Sequence, residues 1–178
     1  MINHILVPIG SRESTPSTLQ YAIGLAKEMG AKVFVFRAYK ALSKAGTLIN
    51  VNELLERETN LYIRSIIRSV DTKGIDVKVI SAKGGTVQSI NEIDDELSID
   101  LIVLPPKSNS VKEEVFLGMT TGSIVKQTKI PVLIVPEYQT FKPFQAALVA
   151  FKSGKLDPPD VLNPLKAITN FSKTEINL

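Results

Sequence analysis

The chain has 178 residues, 44% hydrophobic and 22% charged, with a formal net charge of +3 and no cysteine. Such a composition suits a globular chain with one real core and something extra, and the missing cysteines exclude disulfides and thiolate metal sites while remaining compatible with a reducing compartment. Basic and acidic residues interleave except from Lys142 onward, where five Lys face three acids, so the clustered basic face of a nucleic-acid binder is absent.

In chain order, Met1-Ile2-Asn3-His4 lacks a basic leader and no apolar run approaches about 18 residues, so neither a signal peptide nor a membrane span is expected. His4 to Ile9 is a continuous apolar run, the pattern of a strand buried on both faces. Gly10 to Ser17 is a loop, with Thr15 as helix cap and Pro16 in the first turn. Leu19, Ala22, Ile23 and Ala26 form a helical stripe that Gly30 ends, and Lys32 to Phe36 is a second strand. A looser stretch from Lys40 to Asn50 leads into a long helix with Leu55, Tyr62, Ile63, Ile66, Ile67 and Val70 on one face. Asp76 to Ile80 alternates as a half-buried or edge strand, and Val87, Ile90, Ile93 and Leu97 make a third helical stripe. Leu101 to Leu104 is a fully apolar strand. A polar loop over Pro105–Glu114, a short helix near Thr120–Thr128 and a last strand, Pro131–Val135, follow. Strands alternating with helices imply an open α/β sheet of parallel strands with right-handed crossovers, the strands around Val7 and Val103 being central.

Beyond Pro136 the pattern restarts. Residues 137–143 read as a linker, after which Ala147 to Phe151 mimics Ile5 to Ile9 at a constant offset of 142, maintained at Pro16/Pro158, Leu19/Val161, Ile23/Leu165 and Met29/Phe171. Residues 144–178 therefore read as the opening β-α-β of a second copy of a domain that spans 1–136. A segment this short cannot bury a core by itself, so it must dock on the first domain, exchange with another molecule or belong to a longer chain.

The phrases His4-Ile-Leu-Val-Pro-Ile9, Asp100-Leu-Ile-Val-Leu104 and Leu117-Gly118, with Ile130-Pro131-Val-Leu-Ile-Val-Pro136, resemble the universal stress protein family in order and spacing. The resemblance covers 2–136, with a partial second match over about 143–178, and tandem members exist in that family. It implies a Rossmann-like five-stranded parallel sheet of order 3-2-1-4-5, helices on both faces, and a crevice at the switch point lined by Pro8–Ser17 and Pro105–Met119. Nucleotide-binding members carry a Gly-x2-Gly-x9-Gly-Ser/Thr loop after the fourth strand; here Pro105, Ser108, Gly118 and Met119 fill those places. Proline has no N–H to offer a phosphate, Pro105-Pro106 favours an extended loop, and Met119 supplies no hydroxyl. The family's first-loop Asp falls at Gly10. Thr120, Thr121 and Ser123 stand close enough to replace the missing groups. The crevice positions to inspect are thus Pro8, Gly10, Ser11, Pro105, Ser108, Gly118, Met119, Thr120 and Thr121.

Other chemistry is sparse. His4, the sole histidine, heads a buried strand, where a packed or hydrogen-bonded role is expected. Asp94, Asp95, Glu96 and Asp100 read as a solvated helix end rather than a metal site, and Ser11, Ser14 and Ser17 as turn and cap residues without a general base. No nucleophile elbow or Walker loop occurs. The expectation is a non-enzymatic, cytoplasmic, stress-associated protein without a cofactor or metal. It works through protein association, as a homodimer or intrachain pseudo-dimer across the edge strand Ile130–Pro136, with no nucleic acid or membrane as partner. An ATP binder with a variant phosphate loop is the alternative. A small-metabolite sensor lined by Pro105, Pro106 and Met119 is the third.

Overall fold

A computed structural model of the chain describes residues 1–11, 13–40, 48–106, 118–150, 162–169 and 175–177. Five parallel strands form its main sheet: β1 (His4–Pro8), β2 (Lys32–Tyr39), β3 (Val77–Lys83), β4 (Leu101–Leu104) and β5 (Val132–Ile134). Their order is β3-β2-β1-β4-β5. β1 pairs with β2 over its whole length, His4 opposite Lys32 through Pro8 opposite Phe36, and with β4 through Ile5 opposite Leu101. The order reverses at β1, which has β2 on one side and β4 on the other, so a crevice opens beyond their carboxyl ends.

β4 has the expected range, while the other four strands of the main sheet run one to three residues beyond or short of the ranges the apolar runs suggest. β2 continues past Phe36 through Arg37, Ala38 and Tyr39, whose main chains pair with Ser81, Ala82 and Lys83. Backbone pairing carries a strand past the end of its hydrophobic run, because the ladder needs amides, not apolar side chains.

Successive side chains of a strand face opposite sides, and both sides here are dry. Ile5, Val7, Val33, Val35, Leu101 and Val103 point one way, against α1 (Thr15–Met29) and α2 (Leu48–Arg68). Leu6, Phe34, Phe36, Ile102 and Leu104 point the other way, against α3 (Thr86–Leu97) and α4 (Met119–Gln127). Each such fully buried Val, Leu, Ile or Phe stabilises the fold by roughly 1.5–3 kcal/mol over leaving it in water.

Ser14, not Thr15, is the residue flanking α1, and its side chain makes no capping bond; Pro16 stands in the first turn and Gly30 closes the helix in the left-handed region, its N–H donating to the Ala26 carbonyl. The Ser14 hydroxyl instead donates to Glu137 Oε1 at 3.0 Å, tying the first loop to the segment after β5. His4 Nδ1 lies 2.7 Å from the Leu97 carbonyl oxygen, and its ring meets Phe34 edge-on at 5.3 Å. The acidic residues around it serve the backbone: Asp100 Oδ2 accepts from the N–H groups of Asn3 and His4, and Asp94 Oδ1 from that of Ile99. Among the described residues, no helix is long and apolar enough to cross a membrane.

After β5 the chain doubles back over α1. Phe141 meets Tyr21 edge-to-face at 5.4 Å and Phe144 at 6.2 Å, and both phenylalanines pack against the α1/α2-side core. A side chain at Gly24 would put its Cβ 2.8 Å from Phe141 Cβ, so the helix and this segment approach through a position that only glycine leaves open. β6 (Ala146–Leu148) and β7 (Glu175–Asn177) form a separate two-stranded parallel sheet, with Ala146 opposite Glu175. Between them stands α5 (Asn163–Thr169), whose Ala167 and Ile168 rest on the first core. Residues 149 and 150, expected in the strand, follow β6 without strand structure; Phe151 lies outside the described residues.

Candidate functional site

The carboxyl ends of β1, β2 and β4 open into a cleft of about 290 Å³. Its floor and sides are Val7, Pro8, Ile9 and Gly10 from β1 and the turn after it, and Phe36, Arg37 and Ala38 from β2. Pro105 follows β4, and five threonines come from three helices: Thr15 and Thr18 of α1, Thr86 of α3, Thr120 and Thr121 of α4. The Ile9 N–H donates to the Phe36 carbonyl at 2.8 Å, carrying the β1–β2 pairing up to the lip.

Of the positions drawn from the sequence, Pro8, Gly10, Pro105, Thr120 and Thr121 come together on the wall. Ser11 is exposed and off the wall, and Ser108 lies outside the described residues, as does most of the polar loop it belongs to. Gly118 flanks α4 with φ 45° and ψ 164°, a positive φ that favours glycine there. Met119, the first residue of α4, is 91% exposed and does not line the cleft. Pro106 and Ser123 are likewise off the wall.

Two of the threonine hydroxyls are already engaged. Thr121 Oγ1 donates to the Pro105 carbonyl at 3.3 Å, and Thr18 Oγ1 to the Ser14 carbonyl at 3.4 Å. Thr121 thereby holds the start of the loop after β4 against α4. Those of Thr15, Thr86 and Thr120 make no hydrogen bond to another described residue.

The sequence reading missed Arg37. It is the one ionisable side chain on the described wall, where no carboxylate, imidazole or amine joins it. Its guanidinium carbon lies 4.1 Å from the centre of the Tyr62 ring on α2, a cation–π distance. The Tyr62 hydroxyl donates to the Gly10 carbonyl at 2.8 Å, so one tyrosine braces both the arginine and the first loop. The signal was available: a basic residue one place after a hydrophobic run, at the carboxyl end of a strand adjoining β1, stands where an open α/β sheet binds ligands.

The described part of the wall carries contacts for binding and, among the described residues, no proton-transfer group. General acid–base chemistry needs a group that gains or loses a proton near neutral pH, and arginine does not. Threonine without a base beside it is a poor nucleophile.

Comparison with known proteins was made on this geometry. The model of the universal stress protein family matches residues 1–136. A universal stress protein of Methanocaldococcus jannaschii is 23% identical over 136 residues, 74% of this chain and 80% of the relative. A universal stress protein A homolog of Haemophilus influenzae is 28% identical over 142 residues, 76% and 97% of the two chains. Among solved structures, the hypothetical protein MJ0577 superposes with a TM-score of 0.63 at 22% identity, covering 79% of this chain and 99% of its own. A universal stress protein in complex with cAMP gives 0.54 at 20% identity, covering 76% and 98%. One from Archaeoglobus fulgidus in complex with dAMP gives 0.52 at 16% identity, covering 75% and 97%. At these identities the structural likeness speaks for the fold.

Proposed function

Because the chain belongs to the universal stress protein family, we propose that it acts without catalysis, by associating with protein, and that its crevice does not grip a triphosphate. The observation that carries this reading is the chemistry of the cleft: a described wall of apolar residues, threonines and one arginine, with no group to move a proton. The phosphate side supports it. The turn after β4 begins on Pro105, which has no N–H, and the nearest helical hydroxyl, that of Thr121, is spent on the Pro105 carbonyl. Met119 turns outward where a hydroxyl would be needed.

The associating surface is the strand that ends the sheet. Among the described residues β5 pairs with β4 alone, through Val132, Leu133 and Ile134, and its apolar side chains are half-buried. A short apolar terminal strand is an edge that another chain can extend. The second copy of the fold's opening, residues 144–178, adds to this: its β6–β7 pair stands apart from the main sheet and leaves β5 as that sheet's end.

A second reading is a mononucleotide binder. Thr120 and Thr121 both face the cleft, and two solved proteins of the same fold hold cAMP and dAMP. One preparation distinguishes the two. Purified protein is denatured and the supernatant chromatographed for adenine nucleotide, while a native sample is sedimented at micromolar concentration and assayed for ATP hydrolysis. The proposal expects no stoichiometric nucleotide, no hydrolysis above buffer and a species larger than the monomer. Stoichiometric ATP, turnover or a strict monomer contradicts it.

A further inference from the structure

Arg37 presents a physical problem that the described protein leaves open. Its Nη1 is shut off from solvent and has no hydrogen-bond partner. Among the described residues it forms no ion pair either; the one ion pair there joins Lys78 and Asp76 on the surface. A guanidinium cannot escape by releasing its proton, and an unpaired donor on a charged group costs more than a neutral one. The Tyr62 ring beneath it, at 4.1 Å, offers attraction to the charge but no acceptor for that N–H. Tyr62 is itself fixed by its bond to Gly10, so the arginine is braced on the wall of the cleft.

We infer that Arg37 is an anion-binding residue, and that the cleft takes a small organic molecule bearing a single oxyanion, either a carboxylate or a phosphate monoester. Guanidinium presents parallel N–H groups that pair with two oxygens of either the planar carboxylate or the tetrahedral phosphate. The rest of the wall suits the body of such a molecule. Pro8, Ile9, Phe36 and Ala38 offer apolar contact, and the hydroxyls of Thr15 and Thr86 remain available for polar groups. A volume near 290 Å³ lies at the small end of ligand sites, roughly 300–1,000 Å³, and does not favour a ligand with a long polyphosphate tail. The anion subsite is therefore on the β2 side of β1, across the crevice from the turn after β4. The inference rests on the preceding reading in one respect, that this turn does not supply the anion grip.

The test uses the full, nucleotide-free chain and amide NMR titrations with benzoate, phenyl phosphate and the uncharged benzyl alcohol. Saturable shifts from one or both anions, centred on residues 8–10 and 36–38, are expected, with benzyl alcohol much weaker. Benzoate alone saturating identifies a carboxylate as the anion; phenyl phosphate alone identifies a phosphate. Arg37→Met, which keeps the stem over Tyr62, weakens the bound anion by roughly tenfold to a hundredfold. Arg37→Lys, a variant that keeps charge and folding in case the first does not fold, weakens it several-fold because the forked donor pair is lost. Affinity unchanged in these variants, or benzyl alcohol binding as tightly as the anions, overturns the inference. Two flat titrations overturn it too and leave the reading of the β4 turn standing. ATP binding that survives Arg37→Met contradicts both.

Discussion

Replacing Gly24 by alanine changes sign according to whether the segment after β5 is seated on α1. In an unencumbered helix interior, Gly→Ala is favourable by about 1 kcal/mol, because alanine restricts the unfolded backbone and glycine does not. Here the new methyl would stand 2.8 Å from Phe141 Cβ and 3.2 Å from two ring carbons. The first contact is to an atom fixed to the backbone, so rotating the ring does not relieve it. Overpacking of this kind costs about 1–3 kcal/mol. The net expectation for Gly24→Ala is destabilisation of up to about 2 kcal/mol, read from the urea midpoint at unchanged slope. In a Phe141→Gly background the obstructing carbon is gone, and the same substitution should stabilise by about 1 kcal/mol. A wild-type background in which Gly24→Ala raises stability by that amount would refute the seating of Phe141 against α1.

Tyr62→Phe removes the bond to the Gly10 carbonyl, which is near solvent, and should cost about 0.5–1 kcal/mol by thermal or urea unfolding, with the amides of residues 9–11 shifting most. Burial raises the Tyr21 phenol above its ordinary 10.0. The unfolded chain then ionises first as pH passes 10.0, so the stability this group contributes is whole below that point and is lost as pH rises through the folded value. Alkaline urea titrations should show that loss reduced in Tyr21→Phe; identical alkaline profiles would contradict the assignment. Ile134→Lys places a charge on the terminal strand and should convert the associated species to monomer in sedimentation velocity without lowering the melting temperature by more than a few degrees.

The sheet was legible because its strands are buried on both faces. Ile5–Ile9 and Leu101–Leu104 are apolar without interruption, the pattern of strands in a sheet covered by helices on two sides. The order 3-2-1-4-5 came from the resemblance, not from periodicity, and the sheet has that order. Arg37 escaped for the converse reason. The eye ends a strand where hydrophobicity ends, whereas β2 continues on backbone bonds through Tyr39, and the polar residues it gains there reach the cleft. The seat of Phe141 was hidden by its surroundings: polar neighbours and Pro143 make residues 137–143 read as a linker, and Gly24 lies inside an otherwise regular apolar stripe. Thr15 and Ser14 exchanged roles at the start of α1 because either side chain can flank a helix and neither bonds its amides here.

We propose that the crevice does not hold a polyphosphate, because the turn beyond β4 opens on proline and, of the α4 hydroxyls on the described wall, Thr121 is engaged with Pro105 and Thr120 alone is left. Isothermal titration of the nucleotide-free chain with Mg·ATP measures this directly. No saturable heat is expected into the millimolar range. A one-to-one isotherm with micromolar affinity would overturn that reading.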